Sequence, residues 1–443
     1  MAYTDIWIVA VVALALVAGC ITGEDELPPK EVVQGTQFDG WADYPSISAD
    51  GRYVAFVTAG GFIPGLSLVR SPGDILLHDR ETGETVSIVN MTDLRETYSS
   101  FLYPSLSADG RYVAFEAIAP LSKTSYPADG KNPFHQICVV DRITGQADVV
   151  SRASDGTRAN DWSIDPVISA DARYVTFSSG ADNLVPGDTN TVLDVFLHDR
   201  TTGLTTRVSV ASDGTQANAA SFPSWISGDG RWIVFASNAD NLVTGDENGE
   251  SDVFLYDSTS GETTLVPVPS AGVQRQSSSI SPAISGDGGS VVFRSFAETT
   301  APGASGGIDI FVHDRHTGST RSITNRSTGG WSRAPAISGN GRYIAFESAA
   351  ALTPGDTNDR DDVFVFDTES EKTTLVSVAS DGIQGNGDSG APDISADGRY
   401  VIFVSKADNL VEGDTNGYAD VFVHDRISGR TTLVSVIGMF IDV

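Results

Sequence analysis

Cysteine and basic residues are scarce in this sequence. It contains two cysteines, and its 28 Lys and Arg stand against 58 Asp and Glu, which gives a formal net charge of −30. Neutralising the phosphates of a nucleic acid requires clustered Lys and Arg, so we expect no nucleic-acid partner. The acidic surface either suits cations and a calcium-containing exterior or serves solubility alone.

Long apolar runs are scarce as well. The N-terminal run, over residues 6–17, has about the length of a signal-peptide core and is too short for a comfortable membrane span. It ends at Val17-Ala18-Gly19-Cys20, which resembles the lipobox of prokaryotic lipoproteins. The resemblance implies a signal peptide over residues 1–19, a lipid attached to Cys20 and a tether over residues 20–31. The alternative is an uncleaved N-terminal anchor.

Both alternatives place the remainder of the chain outside the membrane. We therefore expect a protein that is secreted across the cytoplasmic membrane and lipid-anchored at the outer cell surface or in the periplasm. With Cys20 lipidated, Cys138 has no partner for an intramolecular disulfide.

One segment of the sequence recurs seven times. Ile-Ser-Ala-Asp-Gly-Arg-Tyr-Val-Ala-Phe begins at Ile47 and returns with small changes at intervals of about 58 residues. The copies end at Phe56, Phe115, Phe177, Phe235, Phe293, Phe346 and Phe403. Each copy continues with Asp-Val-Phe-Leu-His-Asp-Arg or a variant, a Thr-Gly or Ser-Gly turn, and Thr-Thr-Leu-Val-Ser-Val. The seven copies fill residues 32–443 and leave no room for a second domain.

Each repeat has the pattern of four short antiparallel strands. The Asp-Gly pair favours a hairpin turn, and the residues around it are rich in β-branched and aromatic side chains. In the third strand, Asp194, Phe196 and His198 alternate with side chains of the opposite face. Four strands that cannot bury their faces alone imply blades stacked around an axis, so the sequence predicts an all-β, seven-bladed β-propeller.

The repeat resembles the WD40-like repeats of TolB-type propellers, whose hallmark is Ile-Ser-x-Asp-Gly followed by Arg or Lys, an aromatic residue and an apolar strand. The resemblance covers about nine tenths of the chain and implies a propeller fold. It implies much less about function, because propellers host many unrelated activities.

Four repeats carry an acidic loop, Gly-Asp-Thr-Asn or a close relative, between the second and third strands. The oxygen-bearing side chains are Asp188, Asn190 and Asp194; Asp246, Asn248 and Asp252; Asp356, Asn358 and Asp362; and Asp414, Asn416 and Asp420. Oxygen ligands at positions 1, 3 and 7 of a tight loop can converge on one point, so we predict that these loops bind structural calcium. The alternative is that Asp and Asn serve as turn formers.

No catalytic signature stands out. Four of the six histidines (His78, His198, His313 and His424) occupy one repeat position, which favours a structural role over a metal centre. Cys138 aligns with Phe196, Phe254 and Phe311, so we expect a buried apolar role for it. No Gly-x-Ser-x-Gly elbow with an α/β-hydrolase domain is present.

We therefore predict a calcium-stabilised binding or scaffold module for a protein or a polysaccharide, rather than an enzyme. Trp41, Trp162 and Trp331 enter the first strands of their blades, where they either form a binding face or cover the gaps between blades. The alternative function is that of a propeller-fold glycoside hydrolase or polysaccharide lyase, with paired carboxylates at the central channel.

Overall fold

The computed structural model describes residues 36–38, 40–59, 73–89, 92–120, 135–267, 278–296, 307–324 and 330–437. The predicted signal peptide, Cys20 and the tether lie outside these residues. The described chain forms seven four-stranded antiparallel sheets, which confirms the predicted all-β, seven-bladed β-propeller. Within the same residues, no helix has the length and apolar character needed to cross a membrane.

Every blade takes four consecutive strands of the chain, and its sheet keeps their sequence order. Blade 1 has β2–β5 (Trp41–Ile47, Tyr53–Ala59, Asp74–Asp79, Glu84–Ser87), and blade 2 has β6–β9 (Ser100–Leu106, Tyr112–Ile118, His135–Asp141, Gln146–Val149). Blade 3 has β10–β13 (Ser163–Ile168, Tyr174–Ser179, Asp194–Asp199, Leu204–Arg207), and blade 4 has β14–β17 (Ser221–Ile226, Trp232–Ser237, Asp252–Asp257, Glu262–Leu265). Blade 5 has β18–β21 (Ser279–Ile284, Ser290–Phe296, Ile308–Asp314, Ser319–Ser322), and blade 6 has β22–β25 (Ser332–Ile337, Tyr343–Ser348, Asp362–Asp367, Lys372–Leu375). Blade 7 has β26–β29 (Ser389–Ile394, Tyr400–Ser405, Asp420–Asp425, Arg430–Leu433).

Three short elements lie outside the blades. Strands β1 (Thr36–Gln37) and β30 (Val436–Ile437) pair with each other, and Asp93–Glu96 form a 3-10 helix. We call the side of the ring with the Asp-Gly turns the turn face. The opposite side, where first strands begin and second strands connect to third strands, is the loop face.

The recurring Ser-x-Asp-Gly-Arg segment is a hydrogen-bonded turn. In blade 4, Asp229 accepts hydrogen bonds from the Ser227 hydroxyl and from the backbone N–H of Arg231. Gly230 has φ +74°, a conformation that favours glycine. Arg231 then donates two hydrogen bonds, of 3.1 and 2.8 Å, to the carboxylate of Asp257 at the end of the third strand. The motif thus joins the start of strand two to the end of strand three.

The phenylalanines of the repeat form the centre of the blades. Phe235 and Phe254 lie opposite each other on neighbouring strands, with ring centroids 5.8 Å apart, and both are fully buried. The same stacked pair occurs in blades 3, 5, 6 and 7. In blade 2, Cys138 occupies the second position of the pair, opposite Phe115, and is fully buried.

Neighbouring blades are joined on the turn face by repeated contacts. The ring of Tyr53 in blade 1 packs so closely on Gly110 of blade 2 that a Cβ there would lie 2.3 Å from it. Arg142 of blade 2 places its guanidinium 4.1 Å from the centre of the same ring. Among the described residues, such a cation–π contact occurs at five of the seven seams, which it stabilises in addition to apolar burial.

The seam between blades 7 and 1 repeats these contacts and closes the ring. The guanidinium of Arg80 lies 4.1 Å from the ring centre of Tyr400, and Ala396 N–H donates to Ala49 C=O. All four strands of blade 7 come from the last repeat, as the sequence predicts. The chain also adds a contact that the sequence analysis did not anticipate, because β1 pairs with β30 next to blade 7.

Candidate functional site

In blade 7, the acidic loop converges on a glutamine from the other end of the chain. The side-chain Nε2 of Gln37 donates to Asp414 Oδ1 at 2.6 Å and to Asp420 Oδ2 at 3.0 Å. Its Oε1 accepts the backbone N–H of Thr415 at 3.1 Å. Asn416 donates to Asp420 and to the carbonyl of Phe38. The structure therefore brings the three predicted residues together, around an amide group rather than around an empty point.

Blade 6 has the same arrangement. Gln384 Nε2 donates to Asp356 Oδ1 at 2.9 Å and to Asp362 Oδ2 at 2.8 Å, and its Oε1 accepts the N–H of Thr357. Asn358 donates to the backbone carbonyl of Gly385. We call this arrangement, in which a glutamine amide joins two aspartates of the acidic loop, the glutamine clasp.

Blade 3 differs because it contains a guanidinium. Gln216 Nε2 donates to Asp188 alone, at 3.3 Å, while Arg207 Nη1 lies 3.3 Å from Asp188 and 3.7 Å from Asp194. Asn190 donates to Asp194 at 2.9 Å. Here a protein cation already occupies the place between the two carboxylates.

In blade 4, Asn248 Nδ2 donates to Asp252 Oδ2 at 2.9 Å, as the equivalent Asn does in blades 3 and 7. Asp246 is buried in the same loop. Gln274, which follows a glycine at the same spacing as the clasp glutamines, lies outside the described residues.

The aspartate that opens the third strand has a structural partner even where the acidic loop is absent. Asp309 of blade 5 accepts a hydrogen bond from Thr324, as Asp194 does from Ser209. In blade 1, Asp74 forms an ion pair of 2.5 Å with Arg95 of the 3-10 helix. This aspartate therefore ties strand three to the segment after strand four in blades 1, 3, 5, 6 and 7.

The paired carboxylates are poorly compensated electrostatically. Burial raises the pKa of Asp420 to about 6, and hydrogen bonds from Ser435 and Asn416 only partly offset it. Burial likewise raises the pKa of Asp362 to about 6, with a further contribution from the charge of Asp356. Two close carboxylates whose donors are neutral favour protonation or a bound cation.

The donor set of each clasp suits a hard cation only in part. Turning the Gln37 amide by 180° would bring its oxygen to the point where Nε2 now meets both carboxylates, giving three oxygen ligands. Calcium takes six to eight oxygens, so backbone carbonyls or water would supply the rest. Among the described residues, no group of three or more His, Cys, Asp and Glu side chains is placed to hold a metal.

Cys138 and the four histidines of the repeat position have structural roles, and His198 is the example. Thr205 Oγ1 donates to the backbone carbonyl of Arg152, so His198 Nδ1 is the donor in its 2.8 Å contact with Thr205. Burial lowers the pKa of His198 to about 4, which keeps the ring neutral. Burial also raises the pKa of the Cys138 thiol to about 12. These observations agree with the roles predicted from the repeat alignment.

A second candidate site lies on the ring axis. The first strands of all seven blades surround a central cavity of about 430 Å³. Its wall contains a proline in six blades, and Ser224 takes the proline's place in blade 4. The residue before the proline has a φ between 48° and 53°, at Tyr44, Tyr103, Asp165, Ser281, Ala334 and Ala391.

This backbone conformation is strained. A residue before proline is normally extended, and a non-glycine residue at positive φ costs of order 1–3 kcal/mol. Each first strand has a register irregularity at this point, for example between Asp43 and Ser46. The irregularity turns the side chains of Tyr44, Tyr103 and Asp165 into the wall of the cavity.

The seam between blades 2 and 3 carries an acid–base cluster beside this cavity. Glu116 Oε1 lies 2.6 Å from His135 Nδ1, and the Glu116 side chain is 3% exposed. Burial and the charge of Glu116 raise the pKa of Asp165 to about 6. The hydroxyl of Tyr103, whose pKa is also raised by burial, contacts Tyr44. The sequence analysis anticipated carboxylates at the channel but did not identify these residues.

The three tryptophans lie at the edge of the loop face. Trp41 and Trp162 are 37% and 38% exposed, and Trp331 is half-buried under the guanidinium of Arg333, 4.0 Å from its ring centre. Trp162 also packs against Gly180 of its own blade. The rings thus both cover blade edges and present surface to solvent.

Comparison with known proteins identifies the fold but no family. No protein-family model and no curated protein sequence matches the chain. Many solved structures do match. The β-propeller domain of the Trilobed protease from Pyrococcus furiosus matches with a TM-score of 0.54 and 11% identity, over 90% of this chain and 97% of that domain.

Two further matches have different functions. An oligogalacturonate lyase from Vibrio parahaemolyticus matches with a TM-score of 0.52 and 12% identity, over 90% of this chain and 92% of the lyase. TolB from Acinetobacter baumannii matches with a TM-score of 0.40 and 14% identity, over 86% of this chain and 80% of TolB. The two matches with a TM-score above 0.5, at 11% and 12% identity, support the propeller fold alone, so function must be argued from the sites.

Proposed function

We propose that the protein is an extracytoplasmic propeller, anchored to a membrane by a lipid on Cys20, that serves as a calcium-stabilised binding or scaffold module for a protein or a polysaccharide. The observation that carries this proposal is the pair of carboxylates in each glutamine clasp, of which Asp356, Asp362 and Asp420 are buried and Asp414 is half-buried. Asp414 with Asp420, and Asp356 with Asp362, meet a single neutral amide group.

Calcium would relieve the repulsion within each pair. A divalent cation stabilises two ionised carboxylates that burial otherwise drives toward protonation. In blades 6 and 7, the described contacts to the two aspartates of the acidic loop come from a neutral glutamine amide. Blade 3 fits a cation poorly, because Arg207 already lies between Asp188 and Asp194. We therefore expect one bound ion in blade 6 and one in blade 7.

Thermal unfolding of the mature chain with calcium and with excess EGTA, together with a direct count of bound metal, tests this role. Asp420→Asn should lower the count by one and reduce the calcium-dependent rise in Tm. Asp309→Asn is the matched control, since it removes a carboxylate from the same strand position of a blade that lacks the acidic loop. An unchanged Tm and no bound metal in the wild-type protein would refute the calcium role.

The clasp glutamine gives a second, sharper test. Gln37→Glu places a third carboxylate against Asp414 and Asp420, which should destabilise the protein in EGTA through like-charge repulsion. Calcium should reverse this loss, because the new carboxylate adds an oxygen ligand. If calcium fails to rescue Gln37→Glu, the clasp functions as a hydrogen-bonded tie and not as a metal site.

The anchor and the partner are tested separately. Cys20→Ser should release the protein from the membrane fraction and remove the lipid mass from its N-terminus. Partner binding is tested by capture on glycan arrays and from extracellular protein fractions. The wild-type protein is compared with a variant that carries both Trp41→Ala and Trp162→Ala. Equal capture by both forms would exclude the exposed tryptophans from the binding surface.

A glycoside hydrolase or polysaccharide lyase is the second candidate function. The observation that favours it is the contact of Glu116 with His135 beside Asp165, whose raised pKa of about 6 suits a general acid. Turnover of a polysaccharide, abolished by Glu116→Gln in a protein of unchanged Tm, would support this function. No turnover across a panel of neutral and acidic polysaccharides would count against it.

A further inference from the structure

The seams between blades 2 and 3 and between blades 6 and 7 contain the same buried glutamate with different compensation. Glu116 and Glu347 each follow the conserved repeat phenylalanine on strand two of their blade. Both residues are buried, at 2% and 6% exposure. The strand register places Leu102 opposite Glu116 and Arg333 opposite Glu347.

In blade 6 the glutamate is compensated by a guanidinium. Arg333 donates from Nε at 2.7 Å and from Nη2 at 2.6 Å to Glu347 Oε1. The other oxygen, Oε2, accepts the backbone N–H of Ala391 in blade 7 at 3.3 Å. A residue larger than Gly390 would collide with this carboxylate, because a Cβ there would lie 2.4 Å from Oε2. The seam is built around a compensated glutamate.

In blade 2, Leu102 stands where blade 6 has Arg333, and no guanidinium contacts Glu116 among the described residues. Glu116 Oε1 contacts His135, and Glu116 Oε2 is buried with no hydrogen-bond partner among the described residues. A buried carboxylate oxygen left without a donor is costly. Asp165, in the place that Ala391 has in the other seam, brings a second carboxylate close enough for the charge of Glu116 to act on it.

Glu116 is not itself part of the wall of the central cavity, but it lies close to two residues that are. Asp165 and Tyr103 belong to the wall, and the charge of Glu116 acts on both of them, so a cation beside Asp165 would also compensate Glu116. The cavity of about 430 Å³ is large enough for a basic side chain. Tyr44 and Tyr103, with ring centroids 4.5 Å apart, provide aromatic surface against which a guanidinium or ammonium group can pack.

We propose that the central cavity binds a guanidinium or primary ammonium group at Glu116 and Asp165, in the manner in which Arg333 binds Glu347, and that the group belongs to a basic side chain of a protein partner. This inference rests on the proposed binding function and names the chemistry of the bound segment. Glu116 and Glu347 occupy the same strand position. The ligand would therefore take the role that Arg333 has in blade 6 and that Leu102 cannot fill in blade 2.

Binding can be measured through Trp225, which lies in the cavity wall. The probes are agmatine, a short peptide with one central arginine, and the same peptide with citrulline, the neutral isostere of arginine. We expect the arginine peptide to bind and the citrulline peptide to bind at least ~10-fold more weakly, since citrulline has no charge to strengthen its hydrogen bonds to the carboxylates. Agmatine binding as tight as that of the peptide would instead identify a free amine as the ligand.

Two variants and a control decide the site. Glu116→Gln should weaken binding of the arginine peptide at least ~10-fold, whereas Glu347→Gln, at the same strand position in blade 6, should leave it unchanged. Leu102→Arg should supply the missing guanidinium from within the protein, abolish peptide binding and raise Tm. If Glu116→Gln or Leu102→Arg binds the peptide as the wild type does, the proposal is wrong.

Failure of this inference is distinguishable from failure of the proposed function. The calcium dependence of Tm and the effect of Trp41→Ala with Trp162→Ala on partner capture do not involve Glu116, Asp165 or Leu102. A protein that passes those tests and shows equal binding of the arginine and citrulline peptides would keep its binding role and lose the cavity site.

Discussion

Replacing Gln37 by Ala should open the ring at one seam. Gln37 forms three hydrogen bonds to the acidic loop of blade 7, two of them to carboxylates. Each hydrogen bond to a charged group contributes about 1.5–3 kcal/mol. Of the carboxylates that remain, Asp420 is buried and Asp414 is half-buried. We therefore expect Gln37→Ala to lower the free energy of unfolding by about 3 kcal/mol.

The matched control is Gln384→Ala. Gln384 forms the same three hydrogen bonds in blade 6, so its removal should cost a similar amount. The two variants differ in chain connectivity, because Gln384 lies between two blades of a continuous chain and Gln37 is 377 residues away from Asp414. Only Gln37→Ala should release residues 36–38 and the strand pair β1–β30.

Urea unfolding and hydrogen exchange read by mass spectrometry separate the two effects. Both variants should shift the urea midpoint, but faster exchange at residues 36–38 and at β29 and β30 should appear only in Gln37→Ala. If Gln37→Ala costs less than about 1 kcal/mol while Gln384→Ala costs about 3 kcal/mol, the clasp does not hold the seam. Unchanged exchange at β30 in Gln37→Ala would equally contradict our account of ring closure.

Three further predictions concern the seams and the charges. Gly230→Ala should destabilise the protein by about 3 kcal/mol or more, since its Cβ would lie 2.1 Å from the Tyr174 ring, whereas Gly203→Ala, with similar φ and open space, should cost about 1 kcal/mol in urea unfolding. In EGTA, Tm should fall as pH rises from 4 to 6. The raised pKa of Asp420, about 6, makes the folded protein hold a proton that the unfolded chain has already released near pH 4, and Asp420→Asn should weaken this fall. Arg231 holds the pKa of Asp257 at about 2, so its stabilisation is complete above pH 4 and is lost toward pH 2; Arg231→Gln should show a smaller loss of Tm over that range.

The fold could be predicted because its determinants are local. Ser227, Asp229 and Gly230 specify a turn within four residues, and the paired phenylalanines specify a buried blade centre. Repetition then supplied seven independent instances of the same local evidence. The same locality explains why the position of Cys138 followed directly from the alignment.

The glutamine clasp could not be found in the same way. Gln216 lies 28 residues from Asp188, in a connecting segment whose polar residues indicate only a loop. A signal was nevertheless present, since Gly-x-Gln recurs at Gly35-Thr36-Gln37, Gly214-Thr215-Gln216 and Gly382-Ile383-Gln384. The first of these lies before the first repeat in the sequence. In the folded ring, it occupies the connection that follows the last repeat.

The strained backbone of the central cavity was not predictable either. A residue before proline is expected to be extended, yet Tyr103 and Asp165 have φ values of 52° and 53°. The ring as a whole imposes this conformation, because seven first strands crowd around one axis. No single repeat contains that information.

The distribution of charge connects the two candidate sites. Arginines on the turn face have two roles. Arg231 binds Asp257, and Arg142 and its equivalents pack on aromatic rings across the seams. Of a small number of basic residues, many are thus committed to the turn face. The carboxylates of the clasps lie toward the loop face with neutral amide partners, and Glu116 contacts His135. We propose cations from outside the chain as further partners of these carboxylates, calcium at the clasps and a basic group at the cavity. A protein partner that supplies a basic side chain would therefore approach from the loop face, and its binding should weaken as ionic strength rises.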